Sequence, residues 1–229
     1  MSLITVNPRH ASPVPEALLA RLSEIVPATL GHLMTFGFVD SAIRPLTGGQ
    51  RLRVLGRAVT LRSYGTDGAV VHAAIDLCEP GDVLVIDRGG DTHCACWGEM
   101  TSLAAKYKGI SATIIDGAAT DVAEILEIGY PVYARAISAL TTSAKAQVGD
   151  VNVAIQCGGV PVNPGDIILA DENGIVVLPE AIDLEEVLRE AEPRQKREVW
   201  LREQLAAGKR LSDLTGAAEK LQRAAQTHH

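Results

Sequence analysis

The chain has 229 residues, 47% of them apolar and 21% charged, a composition that excludes a disordered protein and allows a sizeable core. Its formal net charge of -7 argues against a nucleic-acid groove and against an anionic membrane surface, both of which want a basic face. With only 3% aromatic residues, the core must be built from Val, Ile, Leu and Ala, which suits an α/β fold with strands buried on both faces. No apolar run is long enough to span a bilayer. The opening MSLITVNPRHASPVPEALL lacks the charged-then-apolar order of a secretory signal. Cys78, Cys94, Cys96 and Cys157 form no disulfide-scaffold pattern, so a cytoplasmic, reduced setting is expected. Met1-Ser2-Leu3 and the terminal His228 and His229 are given no function.

Residues 1–14 form an N-terminal segment. Residues 15–38 read as helical, because Leu18, Leu19, Leu22, Ile25 and Val26 recur at helical spacing behind Pro15. A loop with Pro45 and Gly48-Gly49 precedes a strand over Arg53–Arg62. A short helix over Ala69–Cys78 is stopped by Glu79-Pro80-Gly81. Val83–Ile86 is an apolar run typical of a strand covered on both faces, and Asp87–Trp97 reads as the loop after it. A helix from Glu99 to Lys108 ends at Gly109, and Ala112–Ile115 is a second buried strand. Asp116-Gly117 is read as a turn, followed by a helix over Val122–Ile128 and a strand over Pro131–Ala136. This alternation is the signature of an α/β layer. Val151–Cys157, Asp166–Ala170 and Gly174–Leu178 look instead like short antiparallel strands joined by Gly/Pro/Asp turns. Pro80-Gly81-Asp82-Val83 up to Asp87 is echoed by Pro164-Gly165-Asp166-Ile167 up to Asp171, which suggests two sheet edges entered alike. The main domain is therefore placed at 15–179 and a charged helical extension at 180–229.

Ligands of open α/β sheets bind beyond the carboxyl ends of the strands, which singles out two loops. Gly98–Thr101 opens a helix, and its free N–H groups and dipole suit a carboxylate or phosphate, although an ordinary first turn has the same pattern. In Asp116–Asp121, Thr120 or Asp121 suits a helix cap, and Asp121 equally suits a hard divalent cation. His93-Cys94-Ala95-Cys96 is tighter than zinc spacing and lacks a second ligand pair, so buried thiols are the expectation there. His10, His32 and His72 show no partner spacing and are read as structural or exposed. There is no Walker loop and no Gly-x-Ser-x-Gly elbow.

The run PGDVLVIDRGGDTHCACWGEMTSLAAKYKGISATIIDGAATDVAEILEIGYPVYAR, with GGVPVNPGDIILADENGIVVLP, resembles the RraA-like family. That family includes 4-hydroxy-4-methyl-2-oxoglutarate aldolases, 4-carboxy-4-hydroxy-2-oxoadipate aldolases with oxaloacetate decarboxylase activity, and regulators of RNase E. The resemblance spans residues 15–215 and is most specific in the central block. It implies a swivelling β/β/α-type α/β domain, assembled as a homotrimer or hexamer with sites between subunits. It implies that Gly98, Glu99, Met100 and Thr101 hold the pyruvate end of a substrate and that Asp121 binds Mg²⁺ or Mn²⁺. Glu99 then holds metal-bound waters, and Glu198 is the candidate acid from a neighbour's C-terminal helix. The family pattern Asp-Gly-x-x-Arg-Asp has its substrate-gripping Arg replaced by Thr120, which brings a hydroxyl but no charge. Arg88 or Arg135 is the candidate cation to compensate.

The expected activity is metal-assisted C–C cleavage of a small 2-oxo acid, by retro-aldol reaction or decarboxylation. The alternative is a non-catalytic binding protein of the RNase E regulator kind, or another metal-dependent enzyme on this scaffold. The extension after Pro179 favours the enzyme, and Thr120 counts against it.

Overall fold

The computed structural model describes residues 3–9, 13–46 and 51–226. Gly48-Gly49, His10, Met1-Ser2, His228 and His229 lie outside the described residues. The elements run β1 (Leu3–Val6), α1 (Glu16–Ser23), α2 (Pro27–Leu30), β2 (Arg44–Pro45), β3 (Val54–Arg62), α3 (Ala69–Leu77), β4 (Val83–Ala95), α4 (Glu99–Lys108), β5 (Ala112–Ala119), α5 (Val122–Ile128), β6 (Val132–Ile137), β7 (Val148–Val151), β8 (Ile155–Cys157), β9 (Val160–Val162), β10 (Ile167–Ala170), β11 (Ile175–Leu178), α6 (Leu184–Ala206), α7 (Leu211–Leu214) and α8 (Ala217–Gln226). The chain divides into two compact units, one up to Asp183 and one from Leu184. The second consists of α6, α7 and α8, and no helix of the described residues is long and apolar enough to cross a membrane.

The sheet has the order β1-β7-β3-β4-β5-β6-β2. Its centre is parallel, with β3 on β4, β4 on β5 and β5 on β6. Side chains along these strands alternate between two cores, as a period of two requires. Leu84, Ile86 and Ile115 join Val71, Ala105 and Ile125 beneath α3, α4 and α5. Val83, Val85 and Ile114 join Ile155, Val162, Ile168 and Val177 from the β8–β9 hairpin and the β10–β11 pair. A sheet covered by helices on one face and by short antiparallel strands on the other explains why β4 and β5 begin as unbroken apolar runs. This is the mixed α/β architecture that the sequence led us to expect, with its helical C-terminal extension.

Four boundaries differ from the sequence reading. Residues 15–38 are not one helix: Pro27 has no N–H to continue α1, so it starts the separate helix α2, and the chain turns after Leu30. Asp87–Trp97 is not a loop, because β4 continues to Ala95 beside β5 across two register shifts. Asp116-Gly117 does not turn the chain: β5 runs straight through it to Ala119, and the turn falls at Thr120-Asp121. Val151–Cys157 is two strands, parted at Asn152, whose φ of +53° bends the backbone. The repeated Pro-Gly-Asp is a repeated device. In each copy the aspartate Oδ2 accepts an N–H three residues back, Glu79 in one and Asn163 in the other, both at 2.8 Å. The two turns deliver β4 and β10 to the same strand, β3, rather than to separate edges.

Asp67 pins the segment that returns towards α3. Its carboxylate is buried and accepts backbone N–H groups from Ala69, Lys145, Ala146, Gln147 and Val148 at 2.7–3.2 Å. Burial pushes this carboxyl's pKa up, but the backbone donors outweigh it and hold the group well below the usual carboxylate range. A depressed pKa means that its contribution is present above the unfolded value of about 3.9 and fades as pH falls. Asp67→Asn turns an amide NH₂ towards donors and is expected to cost about 2–3 kcal/mol at pH 7. Denaturant titrations should show that cost shrinking below about pH 4. A cost unchanged between pH 7 and pH 3 would contradict the assignment.

Candidate active site

The parallel strands β4 and β5 both end at the carboxyl edge of the sheet, and each hands over to a helix there. Trp97, between β4 and α4, is fully buried. Its Nε1–H donates to Ser102 Oγ at 2.8 Å, and that hydroxyl donates to the Gly98 carbonyl, also at 2.8 Å. Thr101 Oγ1 accepts the Gly98 N–H at 3.0 Å and donates to the Gly98 carbonyl at 2.9 Å. The Trp97 carbonyl accepts the N–H of Thr120 at 2.9 Å, which joins the two loops backbone to backbone.

Asp121 follows in the left-handed region, with φ +54° and ψ +45°. Aspartate tolerates this conformation better than most residues, at a modest cost in strain. The result is that its carboxylate does not cap α5. Oδ2 accepts the N–H of Glu99 at 2.9 Å, so the acid sits on the first amide of α4, while Thr120 Oγ1 donates to Oδ1 at 3.2 Å. Neither Thr120 nor Asp121 therefore plays the capping role that the sequence left open for α5. Gly98 permits this approach, since a Cβ there would lie 2.3 Å from Asp121 Oδ2 and 2.9 Å from Thr120 Cγ2.

These residues border a cavity of about 240 Å³. Gly98, Glu99, Met100, Thr101, Thr120 and Asp121 all line it, so the structure brings together every predicted residue of the two loops. The N–H of Met100, in the first turn of α4, has no hydrogen-bond partner among the described residues, whereas that of Thr101 is turned to Gly98. Glu198 lies on α6 in the second unit and is not among the lining residues. Arg88 and Arg135 do not line the cavity either. Arg88 is buried and bonded to Asp91 at 2.8 Å, and Arg135 is held by Asp116 at 2.6 Å and Asp40 at 2.7 Å. The compensating cation expected from them is thus absent, because both guanidinium groups are already spent on internal carboxylates. The lining contains two carboxylates, no Lys or Arg, and His72.

His72 is exposed, one of the two states expected of it, and it borders the cavity from α3. Gly68, Thr141 and Thr142 were missed. Thr141 and Thr142 come from the segment after β6, stitched to β4 by Ala95 N–H to the Leu140 carbonyl at 2.8 Å and Thr142 N–H to the Ala95 carbonyl at 3.2 Å. Cys94 and Cys96 are buried as expected, and burial pushes the Cys96 thiol up to about 12. Among the described residues no three His, Cys, Asp or Glu side chains converge as a metal cage. Asp121 and Glu99 are the two carboxylates of the lining, the residue type that a hard divalent cation takes as a ligand.

A model of the RraA-like family (Aldolase/RraA) matches residues 22–177, and the chain belongs to that family. A Halalkalibacterium halodurans protein provisionally named a 4-hydroxy-4-methyl-2-oxoglutarate aldolase is 36% identical over 157 residues, 69% of this chain and 73% of that protein. Among solved structures, an uncharacterised Pseudomonas syringae protein superposes with a TM-score of 0.75 at 26% identity, covering 92% of this chain and 98% of that one. Streptomyces coelicolor RraAS2, described as an unusual member of the RNase ES inhibitor RraA protein family, gives a TM-score of 0.69 at 26% identity over 85% of this chain and 99% of that one.

Gly98→Ala tests the loop-to-loop contact directly. The added methyl must drive the Asp121 carboxylate off the Glu99 amide while leaving the Trp97 anchor in place. Hydrogen exchange should show the Glu99 amide losing protection, with global stability lowered by about 1 kcal/mol. Unaltered protection would mean that the contact is not there.

Proposed function

We propose that this chain is a divalent-metal-dependent lyase that cleaves a C–C bond of a 2-oxo acid. The reaction is retro-aldol cleavage of 4-hydroxy-4-methyl-2-oxoglutarate-type substrates, decarboxylation of oxaloacetate, or both. The observation that carries this reading is the charge inventory of one cavity: two carboxylates, one open helix amide and no Lys or Arg. An anionic substrate entering beside Glu99 and Asp121 is repelled unless a cation comes with it. Mg²⁺ and Mn²⁺ fit, because such ions are held by one or two carboxylates and keep several waters. Asp121 would hold the ion and Glu99 its waters, and the ion would supply a Lewis acid towards the 2-oxo group.

The chain's own residues do the rest. The Met100 amide, at the positive end of the α4 dipole, receives the substrate carboxylate. Glu99, through water, accepts the proton of the 4-hydroxyl as the C3–C4 bond breaks, and returns it to C3 as pyruvate forms. Thr120 contributes a neutral hydroxyl where an Arg would add a charge-assisted pair worth about 1.5–3 kcal/mol. Glu198 of a neighbouring copy is the candidate second acid, which requires the proposed homotrimer or hexamer.

A binding role of the RNase E regulator kind is the second reading. It is favoured by Thr120 and by the likeness to the Streptomyces inhibitor-family structure. One assay separates the two: pyruvate release from oxaloacetate and 4-hydroxy-2-oxo acids, with and without Mg²⁺ or Mn²⁺, on material sized by light scattering. Metal-dependent release is expected, raised roughly tenfold to hundredfold in Thr120→Arg. No release with either metal from any of these acids would favour the binding role, and a monomer would remove Glu198 from the account.

A further inference from the structure

The cavity is lined by four threonines, and their hydroxyls are unequally spent. Thr101 Oγ1 exchanges hydrogen bonds with the Gly98 backbone, and Thr120 Oγ1 donates to Asp121. The hydroxyls of Thr141 and Thr142 have no partner among the described residues. The segment that carries them is held by its backbone. Thr142 N–H donates to the Ala95 carbonyl at 3.2 Å, Ser143 N–H to the Thr66 carbonyl at 3.0 Å, and Gly68 N–H to the Ser143 carbonyl at 3.0 Å. Thr142 Oγ1 stands over Gly68, where an added Cβ would lie 2.6 Å from it. Gly68, Thr141 and Thr142 thus form one fixed wall of the cavity. Two charged groups accompany that wall without lining it. Asp67 spends its carboxylate on backbone N–H groups, from Ala69 and Gln147 among others. Lys145 rests its Nζ on Thr66 Oγ1 at 2.5 Å, which brings an ammonium beside the wall.

We infer that the hydroxyls of Thr141 and Thr142 hold the distal carboxylate of the substrate. This rests on the function proposed above, whose substrates are 2-oxo dicarboxylates, and says how their second acid is read. The Met100 N–H takes the carboxylate next to the oxo group, and the oxo group lies with the cation at Asp121 and Glu99. The distal carboxylate cannot share either place, because the amide is taken and the two acids repel it. Among the lining side chains, the donors left for it are the two free hydroxyls and the ring of His72. Each hydroxyl has one O–H to give, and a carboxylate accepts one on each oxygen. Bonds to an ionised acceptor are stronger than bonds between neutral groups, so two neutral hydroxyls suffice for a grip that selects. Lys145 adds attraction towards the wall and leaves the hydrogen bonding to the threonines. Thr141 and Thr142 are therefore the specificity-determining pair that separates dicarboxylates from pyruvate-like monocarboxylates.

Calorimetric titration in the presence of Mn²⁺ tests this without relying on turnover. The probes are 2-oxoglutarate, which carries a distal carboxylate, and pyruvate, which does not. The parent chain should bind 2-oxoglutarate about tenfold or more tighter than pyruvate. Thr141→Val and Thr142→Val combined in one chain keep the shape and remove both hydroxyls. That chain should lose the preference while its pyruvate affinity stays within about twofold. Thr141→Ser with Thr142→Ser keeps the hydroxyls and should keep the preference. If pyruvate binds the parent chain and 2-oxoglutarate binds no tighter, the wall assignment is wrong while the lyase reading stands. If the valine chain weakens both acids equally, the wall is only structural and the inference is overturned. It is overturned too if Lys145→Gln abolishes the preference and the valine chain retains it, since the ammonium would then hold the carboxylate. If neither acid binds the parent chain, the inference falls together with the function it rests on.

Discussion

The site depends on a single carboxylate being held against a helix end. Asp121 Oδ2 takes the N–H of Glu99, and everything around it follows from that contact. It needs Gly98, because any side chain there collides with the acid. It is made with Asp121 in the left-handed region, where the carboxylate leaves α5 uncapped and reaches the Glu99 N–H of α4. It needs the two loops at fixed separation, which the Trp97 carbonyl to Thr120 amide bond provides. By occupying the first amide of α4, Asp121 leaves the Met100 N–H for another anion. In the proposed function such an anion brings a cation with it, because Glu99 and Asp121 are both acids.

The precision of that contact is inherited from the sheet. β4 and β5 are buried on both faces, and their side chains lock into two cores at once, so their carboxyl ends have little freedom. Loops leaving such strands can hold a strained aspartate where a loop on an open sheet would relax. The buried Asp67 extends the same logic to the far wall. By gathering the backbone of Lys145–Val148, it fixes the end of the segment that brings Thr141 and Thr142 to the cavity.

How much of this was legible in the sequence depended on whether the signal was local. Val83–Ile86 and Ala112–Ile115 announce themselves by composition, and α4 by Gly98 before it and Gly109 after it, so these elements lie where expected. The continuations of β4 and β5 did not, because Asp87–Ala95 and Asp116–Gly117 carry the glycines and charges of a loop. They are strand because those charges are answered from elsewhere: Asp116 by Arg135 and the Gly158 N–H, and Arg88 by Asp91 and the carbonyls of Gly65 and Cys94. Pro27 opens α2 at its first position, where a missing N–H costs nothing, and so divides what the spacing of the leucines alone reads as one helix. In the site, the two loops were readable through the family pattern, and the structure places them around one cavity. His72, Thr141 and Thr142 were not readable, because each comes from a distant part of the chain and carries no motif. The replacement of the family arginine by Thr120 was readable as a loss, but its consequence was not. Only the structure shows that Arg88 and Arg135 are already paired and that the cavity keeps two carboxylates without a Lys or Arg.

The central claim is that this acidic cavity is a divalent-cation site organised by Asp121, and its most direct test is Mn²⁺ titration of the parent chain and Asp121→Asn by calorimetry. Asparagine tolerates the left-handed backbone as well as aspartate does, so the variant removes the charge and keeps the turn. The account predicts saturable Mn²⁺ binding to the parent chain, weakened at least tenfold in Asp121→Asn, with stability lowered by no more than about 1 kcal/mol as the charge-assisted bond to the Glu99 amide becomes a neutral one. Equal Mn²⁺ affinity in both proteins would contradict it.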